Sequence, residues 1–158
     1  MKTSWLAPLI AVSIFANLAW IPAAKADDEK SISAADISSV ISDLKLKAEE
    51  DKDDEEKTFW TIEGEGYNIL LFQYGGEGDV ATSLGISAFF DEEATLEALD
   101  TWNRDERFTK AYSADEQCAL EADLDQSVAP SKAEVKQFLQ MFTKAIPTFK
   151  EHLSDSEE

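Results

Sequence analysis

Thr58-Phe59-Trp60-Thr61-Ile62-Glu63-Gly64-Glu65-Gly66-Tyr67-Asn68-Ile69-Leu70-Leu71-Phe72-Gln73-Tyr74 is the stretch on which the fold turns. Two runs rich in β-branched and aromatic side chains flank Gly64-Glu65-Gly66, the pattern of a β-hairpin. The turn Tyr74-Gly75-Gly76-Glu77-Gly78-Asp79 follows. Residues 80–90 then read as a further strand, with Leu84, Ile86, Ala88 and Phe90 in one phase. These connections are too short for the helical crossovers that parallel strands need, so the expected sheet is an antiparallel meander.

Working outward, Ser33 is placed to cap a helix whose apolar face is Ile37, Val40, Ile41 and Leu44. The alternation Leu44-Lys45-Leu46-Lys47-Ala48-Glu49 suits a strand, and the acidic run Glu49-Glu50-Asp51-Lys52-Asp53-Asp54-Glu55-Glu56 suits a solvated turn. Beyond the hairpin, Asp91 is expected to cap a second helix, with Glu92 and Glu93 in its first turn and Leu96, Leu99, Trp102 and Asn103 on one face. Residues 108–112 and 117–123 flank the turn Ser113-Ala114-Asp115-Glu116 as a last hairpin. Ser131-Lys132-Ala133-Glu134 is a capping box opening the longest helix, with Val135, Phe138, Leu139, Phe142, Ile146 and Phe149 at helical spacing. Pro147 is expected to kink or end it, because its ring removes the backbone bond to Thr143. Residues 153–158 read as a disordered acidic tail. The predicted class is α+β, an antiparallel sheet packed by about three helices.

The first 26 residues have another purpose. Lys2 gives a positive start, Trp5 to Trp20 carry no charge, and Ala24-Lys25-Ala26 is a small-x-small triplet before Asp27, which together predict a cleaved secretory signal peptide. The uncharged run is short for the roughly 20 apolar residues of a spanning helix, so an uncleaved anchor is the weaker reading. The remainder, residues 27–152 and the tail, is of ordinary single-domain size, and a periplasmic or secreted location follows. Cleavage removes Lys2 and Lys25 and no acid, leaving a chain two charges more negative than the −19 of the whole sequence.

Such a charge excludes nucleic acid and opposes an anionic membrane surface, since neither releases counterions to a polyanion. The expected partners are basic or apolar proteins or peptides, with a homodimer open; acidity serving solubility alone is the competing reading. Cys118 is the sole cysteine, so no intramolecular disulfide forms. It shares the phase of Leu120, Ala122 and Leu124 and reads as a buried core thiol.

Both arginines fall in Thr101-Trp102-Asn103-Arg104-Asp105-Glu106-Arg107-Phe108. A guanidinium holds carboxylates bidentately, so in an acidic chain these two should be anchored within the fold or on a partner. The structural reading packs Trp102 under the sheet and lets Asn103 satisfy loose backbone groups. It pairs Arg107 with Asp123 or Glu121 across the last hairpin and leaves Arg104 at a helix C-terminus. The functional reading makes Trp102, Asn103, Arg104, Arg107 and Tyr112 the lining of a groove for a peptide or small anionic ligand.

Other chemistry finds little support. The run from Asp51 lacks the glycine and the closing glutamate of a calcium loop, position twelve being Ile62. His152 is the sole histidine and lies near the chain end, which disfavours a zinc site or a histidine base. With 33 acidic residues, no carboxylate pair stands out for hydrolysis. No catalytic residue, metal or cofactor is expected, and a small hydrolase ranks third among the function classes.

The order of elements, with Asn68 in a central strand, Thr82-Ser83-Leu84 opening the next, Thr101-Trp102-Asn103-Arg104, Arg107-Phe108, Ala111-Tyr112 and Leu120-Glu121-Ala122-Asp123-Leu124, resembles the YbjN family, bacterial proteins labelled sensory transduction regulators. The resemblance covers nearly all of the chain after the signal peptide. It implies an α+β domain similar to the chaperones that serve type III secretion, and a role in regulation or stress response that is a label rather than a mechanism. Exported members of the family pattern carry a cysteine pair around residues 75–81, and this chain has none there.

Overall fold

The computed structural model describes residues 32–76, 80–114, 117–125 and 129–156. The expected signal peptide, part of the turn after Tyr74, two residues of the last hairpin's turn and the final two residues lie outside the described residues.

The chain enters through β1 (Ile32–Ser33) directly into α1 (Ala34–Asp43). Ser33 caps that helix as expected: Asp36 donates its amide to Ser33 Oγ at 3.2 Å and accepts from the Ser33 hydroxyl at 2.9 Å. Five strands follow: β2 (Ala48–Lys52), β3 (Thr58–Gly64), β4 (Tyr67–Tyr74), β5 (Val80–Ala81) and β6 (Ser83–Phe90). The hairpin between β3 and β4 closes through Gly66 at φ 76°, a left-handed conformation that needs no Cβ. Helix α2 (Leu96–Asp105), strands β7 (Lys110–Ala114) and β8 (Gln117–Asp125), and helix α3 (Lys132–Asp155) complete the fold.

Every strand pair is antiparallel, and the main sheet has six strands in the order β2-β3-β4-β6-β8-β7. The two-residue β1 and β5 pair separately, Ile32 opposite Ala81. The class is therefore α+β, and the meander holds from β2 to β6. It breaks at the end, where β8 rather than β7 lies beside β6. Cys118, Leu120 and Ala122 of β8 are buried on one face and Ala119 on the other, which suits an interior strand. The short, polar β7 suits an edge.

One phase of each strand faces the helices: Trp60 and Ile62, Ile69 and Leu71, Leu84, Ile86, Ala88 and Phe90, Cys118, Leu120 and Ala122. Against them α3 lays Val135, Phe138, Leu139, Phe142, Ile146, Phe149 and Leu153. Phe149 meets Phe90 edge-on at 5.3 Å and Trp102 at 4.9 Å. Cys118 is wholly buried, and burial, with the charge of Glu92 behind it, pushes its thiol up to about 11.

Four expectations need correction. The strand read from Leu44 starts at Ala48, because Leu44 ends α1 and Lys45 turns the chain at φ 57°. The acidic run is then half strand, pairing with β3 through Lys52, and only residues 53–56 turn. The cap of helix α2 lies four residues beyond Asp91, at Thr95, whose Oγ1 accepts the Ala98 amide at 3.2 Å; Leu96 is 77% exposed. Pro147 does not end α3, which runs to Asp155, so the chain is helical where the composition suggests a tail. The lost bond is outweighed because Phe149 and Leu153 beyond it are in the core and His152 Nε2 donates to the Ala98 carbonyl at 2.8 Å.

Replacing Phe149 with alanine is expected to lower unfolding stability by about 3–5 kcal/mol in urea titrations, whereas Leu96→Ala stays within about 0.5 kcal/mol of the parent.

Candidate functional site

The other phase of the strands is covered by none of the three helices. In register across the sheet, Phe59, Phe72, Gly85 and Asp123 form one row; Thr61, Leu70, Ser87, Glu121 and Lys110 form the next; Glu63, Asn68, Phe89, Ala119 and Tyr112 form a third. Phe59, Leu70, Phe72 and Phe89 are half-buried and do not belong to the core. Phe59 stacks on Phe72 at 6.1 Å, and Phe72 on Tyr74 at 6.4 Å. The centre of the face is thus an aromatic and aliphatic strip open to solvent.

Acids surround it. Asp51 and Glu49 lie opposite Phe59 and Thr61 on the β2 edge, Glu63 sits at the end of β3, and Glu121, Asp123 and Asp125 line β8. Two tyrosines stand among the β8 carboxylates. A Cβ on Gly85 would lie 2.6 Å from the Tyr74 ring and 3.3 Å from Asp123 Oδ1, so only glycine lets that ring lie flat on the strand beside the carboxylate. Burial raises the Tyr74 phenol above its ordinary value, and the charges of Asp123 and Glu121 push it the same way. Tyr112 is raised by burial and then by Glu121, with Ser87 opposing weakly.

The residues singled out from sequence divide between the interior and this face. Trp102 is buried, its indole N–H donating to Thr109 Oγ1 at 3.1 Å. Asn103 clamps the edge strand: its amide donates to the Ala111 carbonyl at 2.8 Å and its oxygen accepts the Ala111 N–H at 2.7 Å. Both follow the structural reading. Arg104 is exposed and bonds to its neighbour Asp105 at 3.1 Å, at the C-terminal end of α2 where a cation complements the dipole. Arg107 lies outside β7, because the strand starts at Lys110 and the register sets Lys110, not Arg107, opposite Glu121. It shares a cleft of about 220 Å³ with Phe108, Lys110, Glu121, Ala122 and Asp123. The expected ion pair is not formed: among the described residues Arg107 has no carboxylate oxygen within 4.0 Å. Tyr112 is the one member of the predicted groove on the open face, 37% exposed.

Sequence reasoning missed Phe59, Leu70, Phe72, Tyr74 and Phe89. The signal was present in β4, whose second phase carries Leu70, Phe72 and Tyr74, whereas Phe59 and Phe89 stand singly among Thr61, Glu63, Gly85 and Ser87.

Elsewhere, a cleft of about 450 Å³ opens beside Trp60, Ser38 and Glu50. Its polar groups serve one another, Trp60 Nε1 donating to Ser38 Oγ at 2.9 Å and Ser38 to Glu50 at 2.7 Å. In the acidic run, Asp53 Oδ1 accepts the amides of Glu55 and Lys57, each at 2.9 Å, and so holds a turn.

A family model, YbjN, described as "Putative bacterial sensory transduction regulator", matches residues 33–155. No curated protein matches the chain.

Asn103→Ala leaves the buried Ala111 peptide groups without partners and is expected to cost about 1–3 kcal/mol, while Arg104→Ala and Arg107→Ala each stay within about 0.5 kcal/mol, all read by chemical denaturation. The raised phenols predict a pH effect. Above the ordinary phenol value of 10.0 the unfolded chain loses protons before the native one, so stability falls as pH rises further. Ultraviolet titration should show late phenolate absorbance that Tyr74→Phe and Tyr112→Phe each reduce.

Proposed function

The chain belongs to the YbjN family, and from that premise we propose that it is an exported, non-enzymatic regulatory domain that works by holding a partner protein on the open face of its sheet. The observation that carries this reading is the strip of Phe59, Phe72, Leu70 and Phe89, half-buried apolar side chains on a sheet face that no helix among the described residues covers. Contiguous exposed apolar surface in a folded domain marks a contact surface more often than an accident of composition. An extended segment lying on such a face, held in a chaperone-like manner, would be kept soluble by the acidic rim around it. The charge-free run before Ala24-Lys25-Ala26 supports export to the periplasm or beyond.

A second reading rests on the formal charge of −19, which by itself favours a dispersed, stress-tolerant exported protein with no partner. Capture from periplasmic extract separates the two. The parent protein is expected to retain a stoichiometric partner that Phe59→Ser with Phe72→Ser loses, with light scattering and melting temperature showing that the variant is still folded. A monomer that retains nothing sinks the docking reading and leaves solubility.

A further inference from the structure

A docking face needs an occupant, and the chemistry around Tyr74 and Tyr112 specifies one. We propose that the open face takes a cationic segment of another protein, in which basic and apolar side chains share one face. This rests on the reading of the face as a docking surface and adds the chemistry of the partner.

The apolar strip alone would accept many partners. What narrows the choice is the β6–β8 side of the face. There the Tyr74 ring lies over Gly85 beside Asp123, and Tyr112 stands by Glu121 and Ser87. The floor between them is made of Gly85, Ser87 and Ala119, which bring little bulk above the strands. A phenol ring next to a carboxylate suits a guanidinium: the ring's negative face attracts the cation while the carboxylate takes two N–H groups. Neither Glu121 nor Asp123 is in an ion pair among the described residues. Lys110, across from Glu121, and Arg107, in the adjoining cleft, pair with neither acid, and the contact to Glu121 comes instead from the neutral Tyr112 phenol.

The rest of the rim agrees. Glu49, Asp51, Glu63 and Asp125 add negative charge around the strip; Lys47 pairs with Glu63 and its charge also reaches Glu49. Side chains of an extended partner alternate between its two faces, so those two residues apart meet this face together; they should be apolar over the strip and basic over the acids at its margins. The same charge argues against a second copy. A two-fold contact would set this acidic rim against itself in a protein of charge −19.

The test uses fluorescence anisotropy with the whole protein and three labelled synthetic peptides of equal length, repeats of Arg-Arg-Leu-Leu (Arg-Leu), Arg-Arg-Ser-Ser (Arg-Ser) and Glu-Glu-Leu-Leu (Glu-Leu), so that an extended peptide turns both residue types to the face. The Arg-Leu peptide is expected to bind tightest, more weakly at higher salt, and the Glu-Leu peptide not at all. Glu121→Gln with Asp123→Asn should weaken Arg-Leu binding by about tenfold or more. Glu97→Gln with Glu151→Gln, which removes the same charge from the helix layer, should change it by less than about twofold.

Equal losses in the two double variants would reduce the effect to diffuse attraction and overturn the proposal. So would equal binding of the Arg-Ser peptide, because the strip would then take no part. If sedimentation shows a dimer that Phe72→Ser dissociates, a second copy occupies the face; the cationic occupant is then wrong while the docking reading stands. No peptide bound, together with no partner captured, overturns both.

Discussion

Phe149 stands edge-on between Phe90 of the sheet and Trp102 of α2, with ring centroids 5.3 and 4.9 Å away. Three separate elements meet at that ring, and each is positioned by it. Helix α3 brings seven buried side chains into the core along 24 residues, packing against β8 and against α1 and α2 on either side. Its C-terminal turns hold α2 in place through His152 and the Ala98 carbonyl. Since a carbonyl only accepts, Nε2 carries the proton there. These contacts also explain why Pro147 is tolerated: a missing backbone bond costs a few kcal/mol, less than the burial of Phe149 and Leu153 that continuing the helix secures.

The helices form a single layer, and that leaves the sheet two unlike faces. Strands alternate their side chains, so the second phase points away from the three helices, and its members shield one another only in part. In an ordinary half-exposed sheet the outer phase is polar. Here it carries Phe59, Leu70, Phe72 and Phe89, and the acids of β2 and β8 lie at its margins. The charge of the chain and this apolar face belong to one design: repulsion between copies keeps an uncovered hydrophobic surface from pairing with itself.

The segment around Trp102 shows how the two sides are linked. Consecutive helical positions point about 100° apart, so Trp102 enters the core, Asn103 reaches the outer edge of β7, and Arg104 faces water. The Asn103 clamp supplies the donor and acceptor that an edge strand otherwise lacks, which both fastens β7 and blocks that position from pairing with another chain. This is fold-locking chemistry. The open face lies on the other side of the same strand, where Tyr112 follows Ala111 in β7.

Local chemistry that depends on neighbours in sequence was legible in the chain alone. The capping boxes at Ser33 and Ser131, the Gly66 hairpin, the inward phase Leu84-Ile86-Ala88-Phe90, the heptad-like face of α3 and the buried Cys118 all rest on spacing or on a backbone requirement that one residue type meets. Family membership was legible too, through the Trp-Asn-Arg junction and the strands around it. Boundaries were less so: Asp91 and Thr95 are both good caps, and only the position at which Leu99 and Trp102 reach the core selects Thr95. Strand order, the absence of an Arg107 ion pair and the uncovered face required the tertiary structure. Each depends on register between segments distant in sequence and on how many layers pack, and a period-2 apolar pattern on both phases of a strand cannot say whether its second face will meet a helix or remain open.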